Sequence, residues 1–91
     1  MSKGRGGKIK NWILIHESSK EKAWHHEDKP VGVQIQKGRK GWILMNEKPK
    51  NGEYKTLSYQ KLGGPFNTKA KARKKAAKWM RKHPNPSTTP T

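Results

Sequence analysis

His25, His26, Glu27 and Asp28 place two imidazoles and two carboxylates in consecutive positions. Neutral imidazole and carboxylate are ligands for zinc, nickel or copper, and His16 is a further candidate. A metal site needs ligands that converge, however. Adjacent histidines diverge, no second spaced pair follows, and the chain has no cysteine. The reading is a solvated loop, with no metal and no cofactor. Nucleophilic catalysis needs a Ser or Cys beside a base and an orienting group. Ser18, Ser19 and Ser58 stand in no such setting. The stretch GRGGK at 4–8 lacks the spacing of a phosphate-binding loop and the strand that should precede it. A His-based nuclease needs acidic metal ligands, and Asp and Glu number only 6. These residues argue against an enzyme.

The chemistry present in quantity is charge. Lys and Arg number 22 and the formal net charge is +16. Such an excess repels itself in a compact state and is relieved by a polyanion. Release of counterions then supplies an affinity that falls steeply with salt. The charge is also uneven. Residues 54–91 hold ten basic groups and no acid, residues 1–10 hold four and no acid, and all six acids lie in 11–53. Nucleic acid is the expected partner, DNA favoured over RNA, with an acidic protein surface as the alternative.

The densest block is KAKARKKAAKWMRKH, residues 69–83. At 100° per residue Ala72, Ala76, Trp79, Met80 and His83 share one arc, and Lys71, Lys74, Lys75, Lys78, Arg81 and Lys82 share the opposite one. A merely solvated face normally mixes signs through Glu–Lys pairs, and here no acid is present. Lys8 and Lys10 in the N-terminal segment, and Arg39 and Lys40 in the turn KGRKG, extend the candidate contact set. Two copies of Trp-Ile-Leu, at Trp12 and Trp42, add aromatic surface. Along a strand Trp42 and Leu44 face one way and Ile43 and Met45 the other. If the helix covers the Ile/Met side, the tryptophans are free to stack on bases. If it covers the Trp side, they are core. Both readings stay open.

GWILMNEKPKNGEYKTLS followed by GPFNTKAKARKKAAKWM resembles the small DNA-binding domains at the N-termini of phage-type integrases, the AP2-like arm-binding domains. Gly41–Trp42 and Asn51–Gly52 match the hairpin of that family, and Phe66, Thr68, Lys69 and Ala72 match its helix start. The likeness covers about half the chain. It implies a three-stranded sheet with one helix, the sheet entering the major groove through Trp42, Lys48, Lys50, Tyr54 and Lys55. No catalytic integrase domain follows, so recombination is not implied. The function expected is non-catalytic DNA binding, of an architectural, nucleoid-type or phage regulatory kind. The alternatives are a phage factor that binds an acidic surface of a host enzyme such as RNA polymerase, and an RNA-binding, ribosome-associated protein.

The elements that must position these residues follow from pattern and punctuation. Asn11–His16 and Val31–Gln36 alternate as strands, and Trp42–Asn46 and Tyr54–Gln60 flank the hairpin signal Asn-Gly. Ser18–Pro30 is polar and reads as a loop pinned by Trp24. Gly63, Gly64 and Pro65 break the sheet, Asn67 or Thr68 caps the helix, and Pro84 ends it. The fold expected is α+β: an antiparallel sheet of three or four strands packed against one C-terminal helix, over residues 11–83. A flexible basic arm (1–10) precedes it and a disordered tail (84–91) follows. A hydrophobic fraction of 29% allows only a small core. No apolar run reaches membrane-spanning length and no signal peptide is apparent, so the setting expected is cytoplasmic, without a membrane partner.

Overall fold

The computed structural model describes residues 9–50 and 53–86, with the backbone alone for Lys50 and residues 53–56. It is an α+β domain. Five antiparallel strands run in sequence order, β1 (Trp12–Glu17), β2 (Glu21–His26), β3 (Gly32–Gly38), β4 (Gly41–Lys50) and β5 (Glu53–Phe66). One helix, α1 (Lys69–Lys82), follows and packs over β3, β4 and β5.

The helix lies on the tryptophan side of the sheet. Trp12, Trp24, Val33, Ile35, Trp42 and Leu44 meet Ala72, Ala76 and Met80 in one buried cluster. The two alanines let the helix backbone approach the sheet, and the strand tryptophans fill the remaining depth. Each large side chain so buried contributes about 1.5–3 kcal/mol. Trp42, expected to touch nucleic acid, is only 6% exposed and belongs to this core. The opposite face carries the residues between, such as Gln34, Ile43, Met45 and Glu47, because successive side chains alternate across a strand.

Two segments differ from expectation. Residues 21–26 form strand β2 rather than a loop. Its inward positions are Lys22, Trp24 and His26, all buried, so a strand with two polar inward residues read as polar throughout. Each has a specific partner. The Lys22 ammonium sits 3.5 Å from the Glu17 carboxylate and 5.4 Å over the Trp24 ring. The Gly63–Pro65 stretch does not turn the chain out of the sheet. β5 runs on through it to Phe66, with its pairing to β4 shifted between Trp42 and Met45. Gly64 holds φ at +107°, and a Cβ there would press on the Trp42 carbonyl oxygen.

The ends of the domain also move. The Ile9 carbonyl accepts from the Trp12 N–H at 2.9 Å, closing a turn in which Asn11 takes φ +68°. Residues 9 and 10 therefore belong to the fold rather than to an arm. Past the helix, the Pro84 carbonyl accepts from Asn11 Nδ2 at 3.0 Å and from His26 Nε2 at 2.7 Å, and Pro86 is buried. The tail expected from residue 84 is packed as far as 86. Lys8 and the rest of the expected arm lie outside the described residues, as do residues 87–91.

Candidate nucleic-acid interface

Thr68 starts α1, its hydroxyl accepting from the Lys71 N–H at 3.2 Å. The first turn has no acid, and Lys69 stands at the positive end of the helix dipole. Its ammonium is satisfied elsewhere, by the Ser18 carbonyl at 2.8 Å and the Glu17 carboxylate at 3.3 Å. Burial works against ionisation of Glu17, yet the Lys22 and Lys69 ammoniums hold its carboxyl below the ordinary value. Glu17 thus joins the start of the helix to the β1–β2 corner and neutralises two lysines that face inward.

The remaining helix cations are treated differently. Lys71, Lys74, Lys75, Lys78, Arg81 and Lys82 are all exposed. Among the described residues none of them has an acidic partner within ion-pair distance. At 1.5 Å per residue they spread along a helix of about 20 Å. Arg81 and Lys82 lie in the last turn, where the dipole favours cations.

Beside this face runs a groove between β5 and α1. Its floor and walls are Leu44, Leu62, Gly63, Gly64, Phe66 and Trp79, its rim is Lys75, Lys78 and Lys82, and its volume is about 420 Å³. A smaller hollow of about 290 Å³ continues from it between Phe66 and Lys71, Lys74, Lys75 and Lys78. Trp79 is held in place by His83, stacked on its ring at 4.0 Å and 16°, and by the edge of Trp12 at 6.1 Å. The His83 ring is fixed in turn, its Nδ1 donating to the Trp79 carbonyl at 2.7 Å.

The other expected contact residues are not gathered here. Arg39 and Lys40 are exposed at the β3–β4 turn, beyond the start of the helix. Lys10 is exposed at the opposite end, next to Asn11 and Pro84. Lys48 is half-buried opposite Ser58, eight residues along β4 from Lys40 and so about 26 Å away. The side chains of Lys50, Tyr54 and Lys55 lie outside the described residues. The sheet face away from the helix is not basic in the way the helix is. Glu47 there pairs with Tyr59, whose hydroxyl donates to it, and the Glu47 carboxylate together with burial raises the Tyr59 phenol above its ordinary value.

The His25–Asp28 cluster is dispersed by its own hydrogen bonds. His26 is 2% exposed. Its Nδ1 accepts from the Asp28 and Lys29 N–H groups at 3.0 and 3.1 Å, and its Nε2 donates to Pro84. His25 Nδ1 donates to the His26 carbonyl at 2.7 Å. Among the described residues no three His, Asp or Glu side chains converge as a metal site.

In the sequence Phe66 stands only in a helix-start motif, and nothing in that motif points to the groove. The available signal was the pair Gly63–Gly64: two positions without side chains on a strand beside a helix leave space there. No family model matches the chain, and no curated protein or solved structure matches it.

Proposed function

We propose that this protein binds nucleic acid without catalysis, with double-stranded DNA as the favoured ligand, through phosphate contacts from the exposed face of α1. The observation that carries this reading is a cationic helix face with no acidic partner among the described residues. Lys71–Lys74, Lys71–Lys75, Lys74–Lys78, Lys75–Lys78, Lys78–Arg81 and Lys78–Lys82 are i,i+3 or i,i+4 neighbours of like charge. Each such pair costs about 0.2–0.5 kcal/mol in an isolated helix, so the face holds roughly 1–3 kcal/mol of repulsion. A polyanion removes that repulsion and gains the counterion term as well. A helix of about 10–12 Å diameter also fits a major groove about 12 Å wide.

The likeness to AP2-like arm-binding domains concerns three strands and a helix, which here would be β3–β4–β5–α1. In that family the sheet is the reading element. With Trp42 in the core and Glu47 on the open face, the helix takes the larger part here, and the β4–β5 hairpin (Lys48, Lys50, Tyr54, Lys55) is a secondary contact. Arg39, Lys40 and Lys10 extend the phosphate contacts beyond the two ends of the helix, and Lys8 is a further candidate by its charge alone. An architectural or regulatory DNA-binding protein of the nucleoid, host or phage, fits this reading. Among the described residues no helix is long and apolar enough to cross a membrane.

The test is a salt titration of binding to duplex DNA, structured RNA and single strands. A steep fall of affinity with salt, strongest for duplex DNA, is the expected result. Preference for structured RNA would turn the reading toward a ribosome-associated protein. Failure to bind any of the three at low salt would overturn the nucleic-acid reading and favour an acidic protein partner.

A further inference from the structure

We infer that the groove between β5 and α1 receives an unstacked nucleobase, with the flanking phosphates on Lys75, Lys78 and Lys82; this inference rests on the nucleic-acid reading above. The groove differs from the rest of the cationic face in having an apolar floor, made by Leu44, Leu62, Phe66 and Trp79. Its volume of about 420 Å³ lies in the range of small-ligand sites, roughly 300–1,000 Å³. The three rim lysines fall at i, i+3 and i+7 on one side of α1, spanning about 10 Å.

A duplex engages such a rim but not such a floor. Its base faces are buried in the stack, and it presents phosphates and base edges to a protein. An unpaired base brings a flat apolar face together with its own anionic backbone. An aromatic floor with a cationic border is the combination that binds single strands without regard to sequence. The aromatic residues are also held in place before any ligand arrives. The stack on His83 and the edge of Trp12 fix Trp79. Phe66 lies opposite Trp42 in the ladder and close against Gly63, where an added Cβ would come within 3.1 Å of its ring. The glycines therefore leave the wall of the groove open and let the Phe66 ring occupy it. An acidic peptide matches the rim in charge, but not the flat aromatic floor.

The experiment compares one short sequence as a single strand and as a duplex, with 2-aminopurine at its centre, by anisotropy and by 2-aminopurine emission. The wild-type protein is expected to quench the emission of the single strand. Phe66→Ala is expected to weaken single-strand binding by roughly fivefold or more, the lower figure for one stacked base, and to leave duplex affinity and its salt slope unchanged. Phe66→Leu, which keeps an apolar side chain beside Trp42, should move in the same direction. If neither variant keeps a wild-type thermal midpoint, quenching by the wild-type protein decides. Equal affinity for strand and duplex without quenching overturns the inference and leaves duplex binding by the helix intact. Displacement of the strand by poly-glutamate as effectively as by unlabelled strand, at equal charge concentration, overturns it as well, because only charge would then be recognised. Loss of binding to every nucleic acid tested would remove both readings together.

Discussion

Replacing Lys74, Lys78 and Arg81 together by Gln should make the protein more stable and a weaker binder of DNA. All three side chains are exposed, and none has an ion-pair partner among the described residues. Five of the six like-charge pairs named above involve at least one of them. Their removal should return about 1–2.5 kcal/mol at low ionic strength. Loss of Arg81 from the last helical turn subtracts about 0.3–1 kcal/mol of favourable dipole interaction. Gln keeps nearly the same helix propensity as Lys and Arg, so the net change is a gain of roughly 1 kcal/mol, or about 4–8 °C in Tm for a domain of this size. Binding moves the other way. Each lost phosphate contact lowers the slope of log K against log salt by about 0.9, so three contacts account for a fall of about 2.7. The fall should be equal on unrelated duplexes, because phosphates carry no base identity. Anisotropy titrations across a salt series, with thermal melts at low salt, read both quantities. A parental salt slope would show that the face is only solvated. A lowered Tm would show that these cations have stabilising partners and that the repulsion argument is wrong.

Three further outcomes are expected. Lys48→Ala with Lys50→Ala should lower duplex affinity in anisotropy titrations, and unchanged affinity at low salt would take the β4–β5 hairpin out of the binding surface. Gly64→Ala should cost about 1–3 kcal/mol in urea denaturation, because φ +107° is unfavourable for alanine and its Cβ meets the Trp42 carbonyl; a wild-type midpoint would show that the β5 backbone relaxes freely there. Glu17 titrates lower in the folded protein than its ordinary value of 4.5. Its contribution is therefore present above that value and is lost as pH falls through the lower folded one; being half-exposed, it is small. Glu17→Gln should flatten the acid limb of stability measured between neutral pH and pH 3, and an unchanged acid limb would show that Lys22 and Lys69 do not stabilise this carboxylate.

The sheet-plus-helix architecture was legible because its signals are local. Asn-Gly sits between two alternating runs, Thr68 precedes a run of good helix formers, and Pro84 follows it. Strand β2 was not legible. Its alternation is carried by Lys22 and His26, and their burial depends on Glu17, Trp24 and Pro84, which lie elsewhere in the chain or in space. The orientation of the tryptophans was undecided for a related reason. Period-two alternation separates Trp42 from Ile43 but does not say which side a distant helix will cover. The cationic helix face could be read in full, since it needs only a 3.6-residue period and a count of signs. The groove could not, because it exists only where Gly63 and Gly64 on one element pass Trp79 on another.

The carboxylates lie mainly at one side of the sheet. Residues 12–30, which form β1, β2 and the turn after them, carry four carboxylates against three lysines. The helix, set over β3–β5, carries eight cations and no carboxylate. Strands are spaced by about 4.8 Å, so the centres of these two regions are roughly 12 Å apart across the sheet. This gives the molecule a lasting electric moment, and any extended anion exerts a torque on it before contact. At about 0.01 M salt the screening length is near 30 Å and the molecule is felt as one positive body. At about 0.15 M it is near 8 Å, shorter than the separation, and the two sides act independently. Encounters led by the nearly neutral side then gain little attraction while those led by the helix proceed, so the association rate should report ionic strength through orientation as well as through attraction.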